Sequence, residues 1–379
     1  VSPDVVDAQR RFEVREAAHD WNDARIIDDA TKLAIDAKYP DDRVRVKPAF
    51  RVLLFVFTAF ALLASAGLLG VFDVEGSVIC LLLGVGAAAL TEIQIGPYRR
   101  AQGGTEAATS FLAICFLVAF VLLLFEDSGS IRDFFRLTTF LAALLFALAC
   151  WRWGFALYGG LATALAFAFL ALFPNARLSW MLAALVVVPL SFLGSRSSRL
   201  APSHRRACVQ ALVLATLAFY AAVHLTSYDE GLLEELERPS LSFWREFSVV
   251  ATAVVPILLL VLGIHGRYKP FLHLGLLLSA ASLVTLRYYV HVAPLWVVLL
   301  ASGGALIGVT LALRHYLRRA PSGERHGFTA EPLYGRAGTE LLEMGAAMTT
   351  LAPEAVPPRE PAFKGGGGEF GGGGASGSY

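Results

Sequence analysis

The sequence predicts an all-α polytopic membrane bundle of about ten transmembrane helices. A small N-terminal cytoplasmic helical hairpin and a disordered, Gly-rich C-terminal tail flank it. Three observations predict this class. Ten apolar stretches, each about as long as a bilayer is thick, follow one another between Arg51 and Arg314. Only 17% of the 379 residues are charged, against about a quarter in a typical soluble domain. The deficit is regional: residues 1–50 hold 9 Lys/Arg and 11 Asp/Glu, and residues 314–379 hold 7 of each. The expected organisation is therefore a hairpin over 1–50, a bundle over 51–313 and a tail over 314–379.

A helix crosses a hydrocarbon core of about 30 Å with about 20 apolar residues. The spans read as 51–72, 76–94, 107–125, 136–151, 153–173, 177–194, 207–225, 247–264, 271–290 and 292–313. They lack the strict alternation of a β-barrel strand, and helices satisfy their own backbone groups inside lipid. Only Trp151-Arg152-Trp153 divides the fourth span from the fifth, so nine spans is the rival count. The Gly84/Ala88, Gly160/Ala164 and Gly304/Gly308 spacings predict close helix contacts inside the bundle.

Lys and Arg set the orientation. With the N-terminus cytoplasmic, the inner gaps hold nine positive residues (Arg99, Arg100, Arg152, Arg196, Arg199, Arg205, Arg206, Arg267, Lys269) and the outer gaps six. The basic start of the tail at Arg314, Arg318 and Arg319 adds to the inner side. Both termini are expected in the cytoplasm of a bacterial cell, with the protein in its inner membrane. The first 50 residues are polar, so the first span is expected to act as an uncleaved signal-anchor.

In the hairpin, residues 4–19 read as one helix. Asp28 or Asp29 caps a second that runs to about Lys38, with Trp21 and Ile26-Ile27 available to seal the pair. The alternatives are a docking module for a cytoplasmic protein and a pair of helices lying on the inner membrane face. In the tail, 339–351 reads as a short helix. The composition beyond it, Gly365–Gly368 and Gly371–Gly374 included, cannot bury enough surface to order. In the longest outer loop, 226–246, Leu232, Leu233 and Leu236 predict a short surface helix.

The order Trp21-Asn-Asp-Ala-Arg-Ile-Ile27-Asp-Asp-Ala30 ahead of an apolar bundle resembles a bacterial membrane-protein family of unknown function, family 2157. Ala24-Arg25 stands where that family has glycine. The ending Phe370-Gly-Gly-Gly-Gly-Ala-Ser-Gly-Ser-Tyr379 is similar to the tails of TPM-domain membrane proteins, although no TPM domain is present. Neither resemblance implies an activity or functional residues.

The search for chemistry is mostly negative. No Walker A, Gly-x-Ser-x-Gly or His-Glu-x-x-His motif occurs. Cys80, Cys115, Cys150 and Cys208 lie apart in apolar spans, so neither a disulfide nor a zinc site is expected. No catalytic residue, metal or cofactor is assigned. The nearest approach to a binding motif is Gly103-Gly104 with Thr105-Glu106, near Arg99 and Arg100. A helix N-terminus with arginines can hold an anion or a lipid phosphate, and positive-inside topology accounts for the same arginines. The remaining interfacial polar candidates are Glu92, within reach of headgroups or Arg99, then His224, His273 and Arg287. An aromatic belt with a snorkelling arginine explains the last of these equally well. Pro189, Pro256 and Pro294 free backbone carbonyls and can kink helices or open a mid-membrane path.

Three functions follow. The leading one is a non-catalytic membrane scaffold or sensor, with the lipid bilayer and a cytoplasmic protein bound by residues 1–50 as partners and no nucleic acid. The second is a small-solute transporter or channel using proline-kinked helices. The third is an enzyme on lipid-linked substrates, which needs clustered carboxylates or histidines at one interface.

Overall fold

The computed structural model describes residues 3–23, 25–41, 43–46, 48–101, 103–125, 130–224, 242–290, 295–319, 324–325 and 328–329. The chain divides into two units, 1–292 and 293–379. The first holds eleven helices among the described residues. These are α1 (Pro3–Asp23), α2 (Asp29–Lys38), α3 (Pro48–Val71), α4 (Gly76–Ile95), α5 (Thr105–Leu124), α6 (Ile131–Trp153), α7 (Ala156–Ala171), α8 (Ala176–Arg196), α9 (Pro202–Val223), α10 (Ser242–His265) and α11 (Lys269–Val290). The second holds α12 (Leu295–Arg318) and a two-residue antiparallel pair, β1 (Glu324–Arg325) with β2 (Phe328–Thr329). The outer-loop helix expected within 226–246 and the tail helix expected at 339–351 lie largely or wholly outside the described residues.

Among the described residues, seven helices are long and apolar enough to cross a membrane: α3, α4, α5, α6, α8, α9 and α10. Two shorter apolar helices, α7 and the 269–285 part of α11, accompany them. The chain breaks between α6 and α7 at Gly154, slightly beyond the Trp151-Arg152-Trp153 division. Gly154 sits in the left-handed region (φ 75°) and its N–H reaches the Cys150 carbonyl at 2.9 Å. A glycine there ends a helix at least conformational cost.

Sequence neighbours pack in pairs, α4 on α5, α6 on α7, α8 on α9 and α10 on α11, and α9 links the pairs by also touching α1, α6, α7, α10 and α11. Leu212, Ala215 and Val223 of α9 are fully buried. Lipid is as apolar as leucine, so close van der Waals fit and small residues hold such helices together. A Cβ on Gly159 would lie 2.6 Å from that of Ala207, and one on Gly275 would lie 2.8 Å from the Leu260 backbone nitrogen. Gly84 abuts Leu117 and Gly160 abuts Gln210, the internal contacts their spacing predicts. Gly304 and Gly308 lie on α12, in the second unit. Large apolar side chains such as Phe57, Phe60 and Leu193 point outward.

α1 and α2 are joined by a turn in which Arg25 takes φ 58° and Ile26 N–H returns to the Trp21 carbonyl at 2.8 Å. The Asp28 side chain caps α2 by accepting from the Thr31 N–H at 3.0 Å, and hydrogen bonding to Thr31 holds its carboxyl below the usual carboxylate value. The expected apolar seal is corrected: Trp21 and Ile26 are exposed, because the turn carries them outward. Polar bonds join the pair instead, Arg15 to Asp36 at 2.9 Å and Asn22 Nδ2 to Asp29 Oδ1 at 2.9 Å.

Candidate functional site at one end of the bundle

The turn between α4 and α5 organises this end. Arg99 has φ 48°, and its carbonyl accepts the Val44 N–H at 3.2 Å while Ala101 N–H donates to the Val44 carbonyl at 3.1 Å. The segment leading into α3 is thereby stitched to the turn. Gly104 has φ 94°, and a Cβ on it would fall 2.3 Å from the Arg51 carbonyl oxygen. Glu106, 1% exposed, folds back to accept the Gly103 N–H. The positive end of the α5 dipole favours an anion, and the chain's own carboxylate is that anion. The Gly103 N–H, one of the donors which the sequence offered to an external ligand, is therefore already engaged. Arg100 stands beside them, its Nη1 donating to the Thr105 hydroxyl at 2.9 Å.

α1 lies against this end. Glu13 accepts from Arg205 and Arg206, each at 3.2 Å, and Glu16 lies 3.7 Å from Arg206. The Arg45 guanidinium sits 3.6 Å from the centre of the Phe12 ring and pairs with Asp41 at 2.8 Å. Arg43 Nη1 donates to the Ile95 carbonyl at 2.9 Å. Partly exposed ion pairs contribute about 1 kcal/mol or less each, and Val5, Ala8 and Ala18 of α1 are buried beside them.

Between α1 and the bundle lies a cavity of about 170 Å³. Gln9, Phe12 and Glu13 form one wall, and Arg43, Arg45, Arg100 and Glu106 a second. The Trp153–Ala156 turn, with Pro202, Ser203 and Arg206 at the start of α9, completes it. The first turns of α5, α7 and α9 all begin here. Buried polar atoms on lining residues that make no hydrogen bond among the described residues include Gln9 Oε1, Arg45 Nη2 and Ser203 Oγ. Sequence reasoning reached Arg100 and Glu106 but missed Arg45 and Ser203. Nothing local marks those two, since the fold alone brings residues 45, 100 and 203 together.

Glu92 finds a different partner from the expected Arg99. Arg152 Nε lies 2.8 Å from its Oε1, and Trp153 Nε1 donates to the same oxygen at 2.8 Å. Helix pairing sets this, because α4 and α6 end at the same face.

At the opposite end, Arg177 is buried. Its Nε donates to the Ala222 carbonyl at 2.6 Å and its Nη2 to the Ser248 hydroxyl, tying α8 and α10 to the C-terminus of α9. His224 packs against Tyr220 with the rings tilted at 55° and their centres 4.8 Å apart. Pro256 is fully buried. Lacking an N–H, it cannot bond the carbonyl four residues back at Thr252, and Ser282 Oγ of α11 donates to that carbonyl at 2.7 Å. The Tyr220 hydroxyl lies 2.7 Å from the same Ser282 oxygen. Pro189 is on the exposed side of α8, so the two prolines do not line a common path. His273 lies in the second turn of α11, away from the cavity lining. Arg287 lies near the end of α11; its side chain and Pro294 are outside the described residues.

Comparison of the chain with protein-family models, curated proteins and solved structures finds no match. The fold itself defines the class, a multi-pass helical membrane protein.

Proposed function

We propose that this is a multi-pass protein of the bacterial cytoplasmic membrane that acts as a non-catalytic scaffold or sensor, with α1–α2 as its cytoplasmic contact element. The carrying observation is the arm docked by Glu13 on Arg205 and Arg206, which leaves Trp21, Ile26 and Leu33 exposed for a protein partner. Ten spans, α3 to α12, and both termini inside follow from the same reading. The arginines of the 96–104, 152–156 and 197–206 segments meet at the end where α1 sits, as the positive-inside rule requires of a cytoplasmic face. Membership of family 2157 is part of the proposal. Arg25, at the site where that family has glycine, adopts the left-handed conformation that glycine favours.

The transport reading is weaker because Pro256 is sealed by Ser282 and Pro189 faces outward. The enzyme reading is weaker because Glu13 and Glu106, the carboxylates on the cavity wall, are committed to arginines and to a backbone N–H. In-cell crosslinking should recover a cytoplasmic partner from the full-length chain and lose it on deletion of residues 3–45. Equal recovery of that partner from the deletion variant would remove the arm from this role.

A further inference from the structure

We infer that the cavity beneath α1 binds a phosphate-class oxyanion, held by Arg45, Arg100 and Ser203. The inference deepens the docked-arm reading, since Gln9 and Phe12 of α1 supply one wall.

Three observations carry it. First, Ser203 is 93% buried (7% exposed), lines the cavity, and its hydroxyl makes no hydrogen bond among the described residues. Buried hydroxyls are almost always partnered, so this one calls for an acceptor. It also stands in the first turn of α9, which begins at Ala201-Pro202 without a side-chain cap. The backbone N–H groups of that turn and the helix dipole favour negative charge. Second, Arg100 has no carboxylate within ion-pair distance among the described residues, and Arg45 Nη2 is buried without a hydrogen bond although its Nε pairs with Asp41. Gln9 Oε1 is in the same condition, and rotating that amide presents an N–H₂ donor instead. Unsatisfied polar atoms thus belong to residues on three sides of the cavity. Third, the cavity of about 170 Å³ adjoins the first turn of α9 through Pro202 and Ser203. The anion is therefore placed near α9, whereas Glu106 already fills the equivalent position at α5.

The phosphate has two sources, a lipid headgroup entering from the inner leaflet and a free phosphorylated solute. Native mass spectrometry of full-length protein from maltoside micelles separates them. One arm titrates inorganic phosphate; the other titrates a phosphatidylglycerol of short acyl chain. Wild-type protein should retain one of the two probes, and Arg100→Gln and Ser203→Ala should each weaken that retention about tenfold. Lys269→Gln, an exposed cation at the start of α11, should leave it unchanged. Retention of phosphatidylglycerol alone assigns the lipid source, and retention of inorganic phosphate assigns the solute source. Failure to retain either probe, or equal losses in all three variants, overturns the site. Hydrogen exchange on the same samples follows α1. A protected α1 with no probe bound refutes the anion site alone, whereas an α1 that exchanges as an unfolded segment refutes the docked arm.

Discussion

At Gly104 one methyl group separates an allowed backbone from a forbidden one. The residue has φ 94°, and the Arg51 carbonyl oxygen occupies the place where a Cβ would go, 2.3 Å away. Gly104→Ala should cost about 1–3 kcal/mol from the conformation alone, and more from the clash with backbone that cannot swing aside. Gly70→Ala is the matched control, because nothing lies within 4 Å of its added methyl. Thermal melting in detergent should show a clear loss for the first and little change for the second. Equal melting temperatures would contradict the close approach of α3 to the α4–α5 turn. The same turn shows what can be read from residues alone. Gly103-Gly104 before Thr105-Glu106 marks a helix start with a backbone anomaly, and both features are present. Which anion sits there is not in the local sequence, because whether Glu106 turns inward depends on α3, α9 and the cavity wall.

Among the elements, α10 and α11 show how a membrane helix accommodates proline. Pro256 leaves the Thr252 carbonyl without its usual donor, and Ser282 from the neighbouring helix supplies one. A hydrogen bond between membrane helices contributes about 1 kcal/mol, so Ser282→Ala should destabilise by about that amount. In a Pro256→Ala background residue 256 regains its N–H and the demand on Ser282 falls. A double-mutant cycle of unfolding free energies should therefore show coupling of about 0.5 kcal/mol or more; additive losses would count against the arrangement. From sequence, Pro256 announces a freed carbonyl at Thr252, but the partner of that carbonyl is 30 residues away on another helix and only packing selects Ser282. Arg177 is a similar case. Its sequence position at the head of an apolar run reads as a topology residue, yet it reaches the last turn of α9, where helix carbonyls lack donors.

For the molecule as a whole, the segregation of arginines is the property with the widest reach. Helix positions were legible because apolar runs of bilayer length leave little choice of structure, and the expected starts and ends fall mostly within a turn of those observed. The clustering of Arg45, Arg100 and Arg206 around one cavity was not, since it depends on how helices distant in sequence are arranged. If this end faces the cytoplasm, a cysteine introduced at Lys38 should react with a membrane-impermeant maleimide only after the membrane is opened. One introduced at Pro174 should react in intact spheroplasts. The reverse pattern would invert the orientation. The four native cysteines lie within apolar helices and are poor targets for a charged reagent.

Glu13 and Arg205 are 192 residues apart, and that separation sets a clock. α1 leaves the ribosome long before the helix that receives it. At about 5–20 residues per second of synthesis, the arm waits on the order of 10–40 s for α9 to be made. Throughout that interval its acidic side chains and the ring of Phe12 are open to whatever attends the nascent chain. The docked state thus cannot form until α9 has been made. A chain halted before α9 would carry every residue of the arm and still lack the surface that holds it.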